Sequence, residues 1–265
     1  MSLLIVKLTL APALVVCSSL AGRRWGHEVS GLLVAMPLVA GPILLIVELE
    51  HGHHFASEAA AAAQLGLIGL VCFVLAFAHL ARRAGWPVAV LGGWAAFLAV
   101  SLAFGQASIP AGVGLALAFG AFALAPSLLP ADPREQDEPI AELPAWDLPA
   151  RALATALLVL GLTGAAAGLG ARLTGVLTPF PVSNTVLAAF VLVLEGPVQL
   201  DDFFRGFLRG GYGFVTFCFL VSVLVIPLGA AGAFALALCG AVLAQLLTRA
   251  IARAAPATGS APAGR

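Results

Sequence analysis

Apolar residues run along this chain in stretches of about twenty, with polar residues confined to the gaps between them. A helix of that length covers the ~30 Å hydrocarbon core of a bilayer, so each stretch predicts a membrane span. Nine are predicted: 3–21, 29–49, 58–80, 87–104, 108–129, 150–169, 174–194, 207–226 and 228–248. The division of 87–129 into two rests on Gly105-Gln106, with Pro110 just beyond. Leu14-Val15-Val16-Cys17 has the outline of a lipoprotein cleavage box. Val16 is too large for its position there and no basic segment precedes it, so 3–21 reads as a helix.

Two of the nine stretches are interrupted near their middles. In the second, Met36-Pro37-Leu38-Val39-Ala40-Gly41-Pro42 sets two prolines and a glycine within six residues; in the seventh, Phe180-Pro181 is followed by Ser183, Asn184 and Thr185. A proline removes a helix hydrogen bond and clashes with the preceding turn, so both stretches predict kinked or locally opened helices. Such a break within lipid needs protein or water around it.

Composition agrees with the pattern. At 61% hydrophobic and 10% charged residues, with a mean hydropathy of +1.06, the chain lies outside the soluble class and is predicted to be an all-α polytopic membrane protein. Thirteen basic and thirteen acidic residues balance, leaving no basic face to track nucleic acid. Cys17, Cys72, Cys218 and Cys239 all lie within apolar runs and read as packing residues.

With nine spans, Arg23, Arg24, Arg82, Arg83, Arg134, Arg151, Arg205, Arg209, Arg249, Arg253 and Arg265 fall on one side, and Lys7 and Arg172 on the other. Basic residues collect in cytoplasmic loops, so the N-terminus is expected outside and the C-terminus in the cytoplasm of a bacterial inner membrane. Trp25, Trp86 and Trp146 fall at the cytoplasmic interface on this topology. Residues 130–149, rich in proline and acidic groups, read as a poorly ordered cytoplasmic linker, and the segment after Arg253 as a disordered tail.

The chain also carries signs of duplication. Residues 29–42 laid on 173–186 pair Ser30 with Thr174, Gly31 with Gly175, Leu33 with Leu177 and Pro37 with Pro181; one-residue shifts then pair Glu50 with Glu195 and Cys72 with Cys218. The expected plan is two inverted four-helix repeats, 1–105 and 150–253, joined by an extra helix and the linker in 106–149, with the tail at 254–265. The stretch Gly175-Val-Leu-Thr-Pro-Phe-Pro-Val-Ser, the acidic residue after the helix and Phe203-Phe204-Arg205 resemble the small GlpM-like (YdgC-like) inner-membrane proteins. The resemblance covers 150–250 and, more loosely, 1–105, and it implies a fused, antiparallel pair of four-helix units.

Inverted repeats with matched helix breaks are a recurring plan of secondary transporters. The expected solute site is therefore Pro37, Gly41, Pro42, Pro181, Ser183, Asn184 and Thr185, although the three polar side chains can equally satisfy backbone freed by the proline. Glu48, Glu50 and Glu195 stand at helix ends, as gating or coupling carboxylates or as solvated interfacial ones. His51, His53 and His54 are weak metal candidates, since His-x-His-His is no fixed coordination motif. Asp201-Asp202-Phe203-Phe204-Arg205 with Arg209 reads as an interfacial segment with local ion pairing or, more sharply, an acidic ligand site. Gly161, Gly164 and Gly168 read as close helix contacts, and Gln64 and Tyr212 as interhelical hydrogen-bond partners.

No catalytic set or cofactor fingerprint is present in the sequence, so neither an enzyme nor a cofactor is expected. The predicted function is a small secondary transporter or exporter of a small polar or amphiphilic solute. The alternative is a non-transporting accessory or lipid-handling protein with a membrane-protein partner, which low charge within the spans favours.

Overall fold

The computed structural model describes residues 2–107, 109–130, 144–165 and 176–254. All regular structure among them is helical, in the order α1 (Ser2–Trp25), α2 (His27–Val34), α3 (Ala40–His51), α4 (His53–Gly105), α5 (Ala111–Leu128), α6 (Asp147–Ala165), α7 (Val182–Leu194) and α8 (Pro197–Ala254). Three helices, His53–Gly105, Ala111–Leu128 and Pro197–Thr248, are long and apolar enough to cross a membrane. Their outward faces are apolar too: Leu91, Leu124, Leu243 and Leu247 are all exposed, as lipid-facing side chains are. Residues 131–143 of the expected linker, Thr174, Gly175 and the 255–265 tail lie outside the described residues.

Glycine is the punctuation of this fold. The two longest helices each reverse direction at a single residue, Gly85 in α4 (φ 76°, ψ 176°) and Gly229 in α8 (φ 70°, ψ 178°), in a backbone region that only glycine enters without strain. Each is therefore a hairpin of two antiparallel arms. Gly93 lies beneath the Phe73 ring in α4, and the Phe217 and Phe234 rings meet at 6.0 Å in α8. The arms run 53–84 and 86–105 in α4, and 197–228 and 230–254 in α8. The gaps expected between 80 and 87 and between 226 and 228 are thus one-residue reversals.

The core lies between the hairpins. Phe73, Phe77, Phe97, Phe122, Phe203, Phe204 and Phe207 are all buried, with Phe77 and Phe204 edge to face at 5.6 Å across α4 and α8. Closest approach falls where side chains vanish. A Cβ on Gly31 would collide with the Phe203 carbonyl, and one on Gly206 with the Glu28 carbonyl; one on Gly210 would sit 2.6 Å from Ala35 Cβ. The α2–α8 crossing is thus backbone against backbone through Gly31 and the pair Gly206-x-x-x-Gly210. Gly161, expected to make such a contact, has no atom of the described residues within 4 Å of an added Cβ; the side chain at 164 is not described and Gly168 lies outside the described residues. Cys17 and Cys239 likewise point outward, while Cys218 is buried.

Features of the two halves, α1–α4 and α6–α8, recur at a fixed interval of 144 residues. Gly52 and Gly196 both have positive φ, as do Gly85 and Gly229. The turn at the first break is held by Met36 N–H to Leu33 O (3.1 Å), Leu38 N–H to Met36 O (2.8 Å) and Gly41 N–H to Pro37 O (2.8 Å). At the second, Phe180 bonds Leu177 (3.0 Å), Val182 bonds Phe180 (2.8 Å) and Thr185 bonds Pro181 (2.8 Å) in the same sense. Contacts recur as well: Gly210 abuts the Leu32 carbonyl of the first half, and Gly66 abuts the Val176 carbonyl of the second.

Candidate functional site

Proline sets the geometry of each break. Pro37 and Pro181 cannot donate a backbone hydrogen bond, so helix restarts beyond them at Ala40 and at Val182, with no side-chain cap at either start. Pro42 sits in the first turn of α3, where a missing N–H costs little. Pro37, Gly41 and Pro181 are buried, and Pro42 and Ser183 half-buried.

The neighbours of each break lie on the long helix of the other half. Gly41 faces the Phe217 ring on α8; Phe180 packs against Trp94 and Phe97 on α4, at 5.7 and 5.2 Å. Thr185 is engaged, its hydroxyl accepting a 3.0 Å hydrogen bond from the Trp94 indole N–H. Asn184 is buried and its Oδ1 has no hydrogen-bond partner. Of the expected solute-site residues, Asn184 is therefore the one with open bonding capacity in a buried position.

A denser polar site lies at one end of the molecule, where α1 ends, α2 and α6 begin and α7 ends. Asp147, in the first turn of α6, is fully buried; its Oδ1 accepts from Arg151 Nε and its Oδ2 from Arg23 Nη2, both at 2.7 Å. Arg151 is also buried, and its guanidinium lies 5.2 Å from the centre of the Phe190 ring. Arg151 Nη2 stands 3.5 Å from Glu195 Oε1, a charge contact longer than a hydrogen bond, while Glu195 Oε2 meets His27 Nε2 at 2.8 Å. A buried charge is tolerated when paired and hydrogen-bonded, and Asp147 has both oxygens occupied.

Two further pairs extend this end. Arg82, near the Gly85 reversal, meets Asp201 at 2.6 Å, and Arg209 pairs with Glu28. The stretch around Asp201 differs from its expected form. Residues 201–205 are inside α8, Phe203 and Phe204 are wholly buried, and Asp201 and Arg209 make ion pairs to α4 and α2. Burial of two phenylalanines against the opposite half outweighs an interfacial position. Trp25, Trp86 and Trp146, close in sequence to these charges, are all exposed.

Of the Asp147–Arg151–Glu195 cluster, the sequence singles out only Glu195; Arg23 and Arg151 read as markers of sidedness and Asp147 as part of an acidic linker. One signal was available: an Asp and an Arg at i and i+4, at the head of an otherwise apolar helix.

At the opposite end, Glu48 is buried and its Oε1 lies 2.6 Å from His53 Nδ1, with Oε2 unpartnered. Glu50 and His54 are exposed, and His51 stacks on Phe55 at 4.5 Å. Among the described residues, no three His, Cys, Asp or Glu side chains stand close enough to hold a metal ion. Gln64 has no hydrogen-bond partner for either amide atom, against expectation, because glycine stands opposite it at 114 on α5. Tyr212 packs on Phe119 and Phe122. Residues Glu58, Ala61, Ala62, Leu65, Ala107, Ile109 and Pro110 line a groove of about 300 Å³.

Comparison with known proteins returns no match to a family model, a curated protein or a solved structure.

Proposed function

We propose that this chain is a small secondary transporter or exporter of a small polar or amphiphilic solute, built of nine spans in two inverted repeats, with its cytoplasmic end closed by the ion-pair cluster. The observation that carries the reading is the 144-residue recurrence of the broken helices, with the same turn hydrogen bonds and the same positive-φ glycines. The start of α2 meets the end of α7 through His27 and Glu195, as antiparallel copies require. The resemblance to GlpM-like proteins belongs to this proposal, as a fused antiparallel pair. At a constant interval Glu195 corresponds to His51 rather than Glu50, so the carboxylates at the two mouths are not repeat mates.

The cluster joins helices of both halves, α1 and α2 with α6 and α7, so opening that end must separate paired charges. Alternating access then reads as exchange of these contacts for others. The orientation is N-terminus outside and C-terminus cytoplasmic, with the cluster inside.

A second reading, a non-transporting accessory or lipid-handling membrane protein, draws support from the close packing of the breaks and the engaged Thr185 hydroxyl. Labelling decides between them. In a background without the native cysteines, Asn184→Cys in oriented vesicles is probed with a membrane-impermeant thiol reagent from each side. Transport predicts labelling from outside, and from the cytoplasmic side once Asp147→Asn loosens the cluster. A folded protein that labels from neither side in both backgrounds favours the accessory reading.

A further inference from the structure

Of the five histidines in the chain, His27 is the one whose contact ties the two halves together. His79 bonds the Leu75 carbonyl of its own helix, His51 stacks on Phe55, and His54 is exposed. His53 meets Glu48 across the turn at Gly52, within the first half, so losing that contact parts neither half from the other. His27 opens α2, and its Nε2 stands 2.8 Å from Oε2 of Glu195, the residue that ends α7. Both side chains are largely withdrawn from solvent, at 16% and 5% exposed.

The surrounding charges decide how much rests on that imidazole. From α6, Arg151 gives its Nε to Asp147 and stands 3.5 Å from Glu195 Oε1, which has no hydrogen-bond partner. From α1, Arg23 is likewise turned to Asp147. From α8, Arg209 pairs with Glu28, the residue after His27. The arginines are thus engaged chiefly with other carboxylates, and the closest charge contact of Glu195 is with His27. That contact is an ion pair only while the imidazole holds its proton, and imidazole is the side chain that ordinarily exchanges a proton between pH 5 and 8. Without it, a largely buried carboxylate is left with one cation beyond hydrogen-bond distance.

We propose that His27 is a pH-sensitive latch on this end of the molecule: protonated, it holds α2 to α7 through Glu195, and as it loses its proton the two helices part more readily. Arginine stays charged over this range, so the contacts of Arg23 and Arg151 to Asp147 form the constant part of the closure. The latch rests on the transporter reading in one respect, that the end it closes is a gate for solute.

The test uses the full chain in nanodiscs, with the native cysteines replaced and nitroxide labels on Trp25→Cys and Val193→Cys, exposed positions close in sequence to His27 and Glu195. Pulsed electron paramagnetic resonance gives the distance distribution at pH 5.5 and 8.5. A short distance is expected to dominate at pH 5.5, with a longer population about fivefold larger at pH 8.5, the scale of one ion pair at a partly exposed site. His27→Gln is expected to show the high-pH distribution at both values, His27→Arg the low-pH one at both, and His79→Gln the response of the parent. An unchanged distribution in the parent, or a parental response retained by His27→Gln or His27→Arg, overturns the latch; the parent and His27→Arg decide where His27→Gln does not fold. Labelling of Asn184→Cys is read separately. A pH-dependent distance in a chain that labels from neither side supports the latch and removes the transporter reading, and a constant distance in a chain that labels from both sides does the reverse.

Discussion

Asp147 and Arg151 show how much a single buried charge depends on its partners. Arg151→Met leaves Asp147 with one cation, Arg23, in place of two, and breaking a buried pair in this way costs about 3–5 kcal/mol. Thermal unfolding in detergent should show that loss. Replacing both residues, Asp147→Leu with Arg151→Met, should recover part of it, because the buried carboxylate goes with its cation while Arg23 and Glu195 each still lose a partner. Thr185→Val is a milder change: it strands the Trp94 indole N–H at a cost of about 1 kcal/mol, read as lower stability with a shift in tryptophan emission. At this scale the sequence showed half of the picture. Asn184, Thr185 and Glu195 stand out as polar residues in apolar runs, but the partners that define their roles, Trp94, Arg151 and His27, lie far off along the chain, where no local pattern reaches.

Among elements, the decisive contrast is between glycines that are crossed and glycines that are not. Gly206→Ala drives a methyl group into the Glu28 carbonyl and must part α2 from α8, an overpacking cost of about 1–3 kcal/mol. Gly161→Ala meets nothing and should be neutral or slightly stabilising, since alanine is the better helix former. Gly85→Ala and Gly229→Ala each force a side chain into positive φ, at about 1–2 kcal/mol. Comparing all four by denaturant melting in mixed micelles checks the order. Helix type was legible from apolar run length; several helix starts were not. Polar residues in 53–58 and 197–206 resemble loop, yet they are helical turns whose charges, such as Asp201, are neutralised from another element. The hairpin reversals were legible only as gaps, because one glycine leaves almost no trace in a hydropathy profile.

For the whole molecule, the two halves interlock: α2 of the first lies on α8 of the second, and the Val176 region of the second lies on Gly66 of the first. Thiol chemistry can read this packing. Cys17 and Cys239 should react readily with a lipid-soluble maleimide, whereas Cys218 should react only on unfolding, with mass spectrometry assigning the sites. The 144-residue recurrence was faintly visible as matched prolines and a few identities, with shifts of register that the backbone does not share. Sequence drifts while turn geometry is held by steric necessity, so the hydrogen bonds at the breaks keep the interval better than the side chains do.

The glycine seam between α2 and α8 also bears on synthesis. Gly31 leaves the ribosome well before Phe203, and at ~5–20 residues per second its mate is absent for about ten seconds or more. Throughout that interval the first half carries a bare backbone groove that its mate does not yet cover. A nascent chain stalled just short of residue 203 should then be the form most exposed to quality-control proteolysis.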